Sequence, residues 1–272
     1  MINAYRAVLT LRFREVLQYR AAAWAGVFTQ VVFGFIILMA LKAFYGSSEA
    51  APPLGVTQLI AYIWLGQAMF SLMPWNVDRD VQAMIRTGAV AYELARPIDT
   101  YSLWFCRTMG WRLAAVSLRA LPLLVLVGLV FPWVGMSAWA LPGPASWASL
   151  LAFVAAIVVA VLLAVTITML MHVVMLWTLD AEGITRVAPA IVMLGAGMII
   201  PLPLFPDAVQ PLLAALPFRG LLDVPVRLYS GHIPVAEAAG HLALGLAWVV
   251  ALVVLGRWMM ARGLRQVVVQ GG

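Results

Sequence analysis

Long apolar runs alternate with short polar segments along most of the chain. A helix needs about 20 apolar residues to cross the roughly 30 Å hydrocarbon layer of a bilayer. Several runs reach that length, and the block from Ala120 to Leu179 contains sixty residues without an Asp, Glu, Lys or Arg. We therefore predict an all-α polytopic membrane protein. Its six predicted spans are Ala21–Phe44, Val56–Trp75, about Leu113–Val134, Trp147–Leu170 or somewhat beyond, Val187–Leu204 and Ala238–Gly256.

The composition supports a membrane protein over a soluble one. Hydrophobic residues make up 64% of the chain and charged residues only 10%, whereas about a quarter of a soluble domain is charged. The net charge of +6 does not indicate a nucleic-acid partner, because the basic residues fall at the ends of apolar runs. The single cysteine, Cys106, excludes an internal disulfide and any multi-cysteine metal site.

The distribution of basic residues predicts the orientation. With six spans, both termini lie on one side, and 14 of the 17 basic residues fall on that side. Only Lys42, Arg219 and Arg227 fall on the other. Since cytosolic segments carry the excess of Lys and Arg, we expect cytosolic N- and C-termini.

The largest cytosolic segment, residues 76–100, has more residues than a connector needs. Its first part reads as a short helix with Asn76 as N-cap, which ends at Gly88. A second short helix, Ala89–Ala95, stops before Pro97. A plain connector takes a few residues, so we predict a folded surface. The alternative is a solvated loop that only satisfies the charge rule.

Two further segments have their own patterns. Residues 1–20 form an amphipathic stripe that Arg12 interrupts, which predicts a helix lying along the membrane interface; a basic extension that only sets orientation is the alternative. Residues 201–237 are apolar but contain seven prolines. That segment is too broken to span, so we predict extracytosolic helices that re-enter the membrane and are covered by protein.

Sites for chemistry are sparse. No Gly-Lys pair occurs, so the chain lacks a phosphate-binding loop and we expect no cofactor on it. The acidic residues all fall in predicted loops or ends, which predicts apolar walls without buried charge. His172 and His241 lie near span ends, where they either relay protons or simply pack. Arg119 lies about 9 Å inside the third predicted span; it either snorkels to the interface or meets an anionic substrate or lipid.

The order of these segments resembles permease subunits of the type-2 ATP-binding-cassette transporters. Two stretches carry the likeness: "IRTGAVAYELARPID" ahead of the third span, and "GMIIPLPLFPDAVQPLLAALPFRGLLDVPVRLYSG" from the end of the fifth span onward. The resemblance implies a 1–20 elbow helix and a single transmembrane domain over 21–272 in a bacterial cytoplasmic membrane. It also implies two ATPase subunits that hold ATP and Mg²⁺, a second permease, and contact with membrane lipid.

The resemblance assigns roles to two groups of residues. In the cytosolic segment, an apolar stripe would fill a groove of the ATPase, charged side chains would surround that groove, and Gly and Pro would set the angles between the short helices. These predicted coupling residues are Val81, Ile85, Arg86, Gly88, Glu93, Arg96 and Pro97. At the outer end, the broken segment would form a gate: these gate residues are Pro201, Pro203, Phe205, Pro206 and Phe218. Arg119 would lie on the substrate path.

The favoured function is ATP-driven export of an amphipathic or hydrophobic compound, with no enzymatic activity on this chain. Two alternatives belong to other classes. A membrane-embedded lipid-modifying enzyme would use Ser230, His232 or His172. A membrane scaffold would show no substrate-stimulated ATP hydrolysis.

The charge asymmetry makes a testable prediction about topology. In a Cys106→Ala background, we expect a single cysteine at position 207 to react with a membrane-impermeant thiol reagent in intact cells, whereas one at position 268 should react only after lysis. The opposite labelling pattern would reverse the orientation.

Overall fold

The computed structural model describes residues 2–47, 52–178 and 182–264, and these fold into helices and turns without a strand. The prediction of an all-α protein is therefore confirmed. In chain order, the helices are α1 Ile2–Val16, α2 Arg20–Ser47, α3 Val56–Met69, α4 Arg79–Arg86, α5 Val90–Leu94, α6 Thr100–Val125, α7 Phe131–Trp133, α8 Trp147–Thr178, α9 Glu182–Ala196, α10 Gln210–Ala215, α11 Asp223–Tyr229 and α12 Ala238–Gly263.

Among these residues, four helical stretches are long and apolar enough to cross a membrane: Arg20–Gly46, Thr100–Trp133, Trp147–Thr178 and Val235–Gly263. They make the chain a membrane protein. Two other apolar helices, Val56–Leu72 and Gly183–Ala196, are shorter. At 1.5 Å per residue, they extend about 25 and 21 Å.

The second and fifth predicted spans extend too far at their C-terminal ends. The helical stretch that starts at Val56 ends at Leu72 rather than Trp75, and α9 ends at Ala196 rather than continuing to Leu204. Gly197 explains the second end, because its φ of +81° is a left-handed conformation that stops a helix.

The third predicted span begins too late. α6 starts at Thr100, where the carboxylate of Asp99 accepts a 2.9 Å hydrogen bond from the Ser102 amide. Including the π turn at Leu126–Val130 and α7, the continuous helical stretch runs to Trp133, about 51 Å, which is longer than the bilayer is thick. The charges of Arg107 and Arg112 led to the prediction that the first half of this helix is a loop. In the structure, both side chains have partners within the bundle.

Helix α8 lies at the centre of the bundle. Of its most apolar stretch, 56% is buried inside the chain, against 17–22% for the other three long helices. It contacts α6, α11 and α12, and α12 approaches closely at Gly245. A Cβ added at Gly245 would lie 2.7 Å from Cγ1 of Val159. Small residues therefore set the spacing between α8 and α12.

The amphipathic N-terminal segment is a helix, α1, that packs along α6. The contact is closest at Gly110, where an added Cβ would collide with the carbonyl oxygen of Leu9. We call the end of the bundle that carries α1, α4 and α5 the basic end. The position of α1 relative to a membrane surface stays a prediction.

The proline-rich segment packs into the opposite end of the bundle. Pro201 and Pro203 are buried, and the ring of Phe218 fills a notch at Gly195, where an added Cβ would lie 2.7 Å from Cδ2 of Phe218. The Tyr229 hydroxyl donates a 2.8 Å hydrogen bond to the Pro142 carbonyl. The segment is thus a set of short helices fixed to the core.

The prediction of apolar walls without buried charge is wrong. Arg112 in α6 is fully buried and donates to the carbonyls of Ser71 (2.9 Å) and Met73 (2.8 Å) and to the hydroxyl of Thr168 (2.8 Å). These bonds join α6 to the end of the α3 stretch and to α8. The charge is tolerated because it faces protein acceptors rather than lipid.

Asp223 is a second buried charge, and it lies in α11 rather than in a loop. It accepts hydrogen bonds from Arg227 (3.2 Å) and from the Tyr62 hydroxyl (3.3 Å), while Arg219 lies 3.6 Å away. The sequence shows each of these charges but not its partner, and Tyr62 is 161 positions from Asp223.

Arg112 generates a stability prediction. Arg112→Met removes the donors to three buried acceptors, so we expect the free energy of unfolding to fall by about 2–3 kcal/mol. Titration from mild detergent into dodecyl sulfate measures it. Arg262→Met is the matched control, because Arg262 is exposed and stacks on Trp258. Equal stability of the two variants would contradict the structural role of Arg112.

Candidate coupling site

Asp78, the residue before α4, connects α4 to three other helices. Its Oδ2 accepts a 2.9 Å hydrogen bond from Arg12 of α1 and a 2.6 Å one from Nε of Arg107 in α6. Its backbone amide donates to Nε2 of His172 in α8 over 2.8 Å. Asp78 therefore fixes the start of α4 against α1, α6 and α8 at once.

A second carboxylate completes this network. Asp80 accepts from Arg12 over 2.8 Å and from Arg107, and Glu15 accepts from Arg12 over 2.7 Å. The side chain of Asp78 is only 14% exposed, whereas that of Asp80 is 65% exposed. We call Arg12, Asp78, Asp80, Arg107 and His172 the Asp78 junction. Charge-assisted bonds of this kind are the strong ones, and more so out of water.

The Asp78 carboxylate is ionised at neutral pH. Burial alone would raise its pKa, but the hydrogen bonds and charges of Arg107 and Arg12 outweigh burial and lower the pKa of Asp78 to about 2. For Arg12, burial again works against the charge, and the bonds to Glu15 and Asp78 still raise its pKa. The junction is thus a true ion-pair network.

His172 supplies the contact to the central helix. It is fully buried, and its ring meets Trp104 edge to face at 6.3 Å between centroids. Because Nε2 accepts the Asp78 amide proton, the neutral ring carries its own proton on Nδ1. His241 lies at the start of α12, at the opposite end of the bundle, so the two histidines do not form one relay.

The segment of residues 76–100 has the predicted two helices with shifted ends. The N-cap of α4 is Asp78 rather than Asn76, because the Asp78 carboxylate reaches the amide of Asp80 at 2.9 Å. The predicted stop at Gly88 is confirmed: α4 ends at Arg86, and Gly88 has a φ of +72°. α5, Val90–Leu94, lies within the predicted range.

The apolar stripe of α4 faces the chain's own core. Val81 and Ile85 are 1% and 4% exposed and pack in one cluster with Trp104 and Val173. They anchor α4 to the bundle, so the prediction that they fill a partner's groove is wrong. Glu93 is also engaged, since its carboxylate accepts a 2.6 Å hydrogen bond from the Trp104 indole.

The remaining coupling residues form an exposed face. Arg86, Arg96 and Pro97 are exposed, as is Tyr92, whose side chain is 78% exposed. The sequence prediction missed Tyr92 because it sits in an apolar-looking stretch, VAYEL, that suggested burial. We call Arg86, Tyr92, Arg96 and Pro97 the outer face of α4–α5.

The predicted gate residues divide into buried and exposed members. Pro201 and Pro203 are buried and Phe218 packs on Gly195, whereas Phe205 is partly exposed and Pro206 is exposed. Beneath them, Arg219, Asp223 and Arg227 line a cavity of about 260 Å³. Arg119 lines a different cavity at the basic end, of about 440 Å³, together with Asp78 and His172.

Two of the residues proposed for lipid-modifying chemistry, Ser230 and His172, lie far apart. The Ser230 hydroxyl donates to the Arg227 carbonyl at 3.4 Å, next to Tyr229, whose carbonyl binds the amide of Ala145 ahead of α8. His172 lies 27 residues beyond Ala145, about 40 Å along the chain of α8. Ser230 and His172 are therefore at opposite ends of the bundle.

A comparison with protein families decides the class. The model of the family described as "ABC-2 family transporter protein" matches residues 37–271, which include α3 to α12. The chain belongs to this family. No curated protein gives a match to the chain. As an ABC-2 membrane component, it is a transport permease that works with ABC ATPase partners. The resemblance read from the sequence is confirmed.

The Asp78 junction makes a pH-dependent prediction. A pKa of about 2, against an ordinary value of 3.8, means that the ionised carboxylate stabilises the fold above about pH 4 and loses this effect as the pH falls towards 2. Asp78→Asn keeps an N-cap but not the charge. We expect it to lower the free energy of unfolding by about 2 kcal/mol at pH 7.

The difference between Asp78→Asn and the wild type should shrink as the pH falls from about 4 to 2, because the wild-type carboxylate takes up a proton across that window. Unfolding in detergent at each pH measures it. Asp207→Asn, an exposed acid at the other end, is the control. A difference that does not change with pH would contradict the assigned ion pairs.

Proposed function

We propose that this chain is the permease subunit of an ATP-driven exporter with six membrane-spanning segments and both termini in the cytosol of a bacterial cell. The family and the bias of 14 basic residues in 17 support this. In this proposal, α3 and α9 are also membrane-spanning segments, although they are shorter than the other four. The α10–α11 segment covers the part of the outer leaflet that these two helices do not reach.

In this proposal, two permeases and two ATPase subunits form the transporter, and the second permease is this chain or a sister. The ATPase subunits hold ATP and Mg²⁺. Large apolar side chains face outward on two helices and would meet lipid or the second permease. They include Phe28 and Phe33 on α2 and Val187 and Ile191 on α9, all more than half exposed.

The Asp78 junction is the observation that carries the coupling proposal. When ATP draws the ATPases together, they press on the outer face of α4–α5. Because Asp78 is bonded to α1, α6 and α8, a displacement of α4 moves those three helices with it. The buried stripe of Val81 and Ile85 prevents α4 from rolling independently.

The outer end would act as the gate. The α10–α11 segment closes the bundle there with Pro203 and Phe218 packed inside, and moving it apart between two permeases opens an exit. An amphipathic or hydrophobic cargo suits this path, because the buried charges Arg112 and Asp223 are paired within the protein.

The outer face of α4–α5 provides the test. We expect the double change Tyr92→Ala and Arg96→Glu to weaken binding of the ATPase by tenfold or more, because an exposed aromatic and a charge are the usual anchors of an interface. Insertion and permease assembly should not change. Co-purification in mild detergent and the ATP hydrolysis of the complex measure the effect.

Arg262→Glu is the matched control, since it reverses a charge at the same end but outside this face. If the double variant retains a fully active ATPase and transports normally, the coupling surface lies elsewhere. If no ATPase co-purifies with the wild-type chain and cargo never stimulates hydrolysis, the scaffold alternative gains support.

A further inference from the structure

The cavity of about 440 Å³ at the basic end has a mixed lining. Charged residues of α1 and of the start of α4 line it together with His172, and so do Trp111, Ala115 and Leu118, which share one face of α6. Residues of α1, the start of α2, α6 and α8 all contribute to it. Such a cavity suits a molecule that has both a polar head and an apolar body.

Two cations that line this cavity, Arg79 and Arg119, have no hydrogen-bond or ion-pair partner among the described residues; Arg79 is exposed at the start of α4, whereas Arg119 is half-buried. Arg12 and Arg107 are bound to Asp78 and Asp80, whereas no described residue forms a hydrogen bond or ion pair with Arg119. Its stem lies against α2, where a Cβ added at Gly26 would be 2.9 Å from Nε of Arg119. The absence of a side chain at Gly26 makes room for the guanidinium.

The depth of Arg119 makes an unpaired charge costly. It lies nine residues beyond Gly110, where α1 packs closest to α6, and therefore about 13 Å further along the helix. If α1 lies along the membrane surface, this places Arg119 within the apolar layer. Ionisable groups at that depth pair with an opposite charge or face a water-filled cavity.

We propose that this cavity binds the anionic head, a phosphate or carboxylate, of a membrane amphiphile from the leaflet at the basic end. The planar guanidinium of Arg119 holds the anion through two parallel hydrogen bonds. The face of α6 at Trp111 and Leu118 receives the first part of the hydrocarbon body. The ligand is either a resident phospholipid or the transported compound.

The cavity also borders the Asp78 junction, so a bound amphiphile lies between α1 and the helices that the junction ties to α4. An effect of the bound amphiphile on ATPase coupling rests on the proposed function. The binding itself needs neither the ATPase nor ATP. Loss of binding and loss of coupling are therefore separate outcomes.

The binding test uses the full chain in mild detergent without nucleotide. Isothermal titration compares dioctanoyl phosphatidylglycerol, which is anionic, with dioctanoyl phosphatidylcholine, which has the same chains and no net charge. We expect the wild type to prefer the anionic lipid and Arg119→Gln to lose that preference by about tenfold, the value of one charge-assisted hydrogen bond.

Three further variants separate binding from folding. Gly26→Leu keeps the charge but displaces the guanidinium and should weaken the preference as Arg119→Gln does. Arg119→Lys retains a charge that reaches the interface and should bind with intermediate affinity. Arg262→Gln, outside the cavity, should bind like the wild type. An unchanged preference in Arg119→Gln and Gly26→Leu, or an equal loss in Arg262→Gln, would overturn the proposal.

The source of the ligand is decided in vesicles that contain the complex with its ATPase. Headgroup-labelled phosphatidylglycerol that leaves the leaflet at the basic end only when ATP is added is cargo. Stimulation of hydrolysis without movement of the label identifies a resident lipid. Either result should be lost in Arg119→Gln. Loss in Arg262→Gln instead would contradict the assignment of the binding site to the cavity at Arg119.

Discussion

The ion pairs of Asp78 with Arg12 and Arg107 determine how the basic end of the protein is built. Without them, α4 would be an eight-residue helix held by one apolar stripe and the backbone bond to His172, and isolated helices of that length are not stable. The two arginines come from two different helices, α1 and α6, and both bind Oδ2 of Asp78. The backbone bond to His172 then ties the same residue to the central helix.

Polar contacts fix the bundle at both ends of α8, and apolar packing fills the space between them. At the basic end, α8 contributes Thr168 and His172, which bind Arg112 and Asp78. At the other end, α11 packs on α8 and carries the buried pair of Asp223 and Arg227. In an apolar solvent, hydrophobic burial gives little preference for one helix arrangement, so directional bonds of this kind specify it.

The sequence predicted features that depend on near neighbours. The stop at Gly88, the amphipathic α1 and the broken segment at 201–237 each follow from residues within a few positions of one another. The junction could not be predicted, because Arg12 and Asp78 are 66 positions apart. One local signal did exist: Arg12 interrupts the apolar stripe of α1, and an ionic side chain on an apolar face indicates a buried partner. The long start of α6 was missed for the same reason, since Arg107 and Arg112 read as loop until their acceptors are known.

The same bonds determine how a force applied to α4 would spread. Separating Asp78 from either arginine removes one of the two counter-charges of a mostly buried carboxylate, which is unfavourable. α1 and α6 therefore move together, and α2 follows α1 because only a short turn, Leu17 to Tyr19, separates them. The cavity around Arg119 is walled by these helices, so its shape is set by the position of α4. A molecule bound there and an ATPase bound to the outer face of α4–α5 would thus act on one connected set of helices.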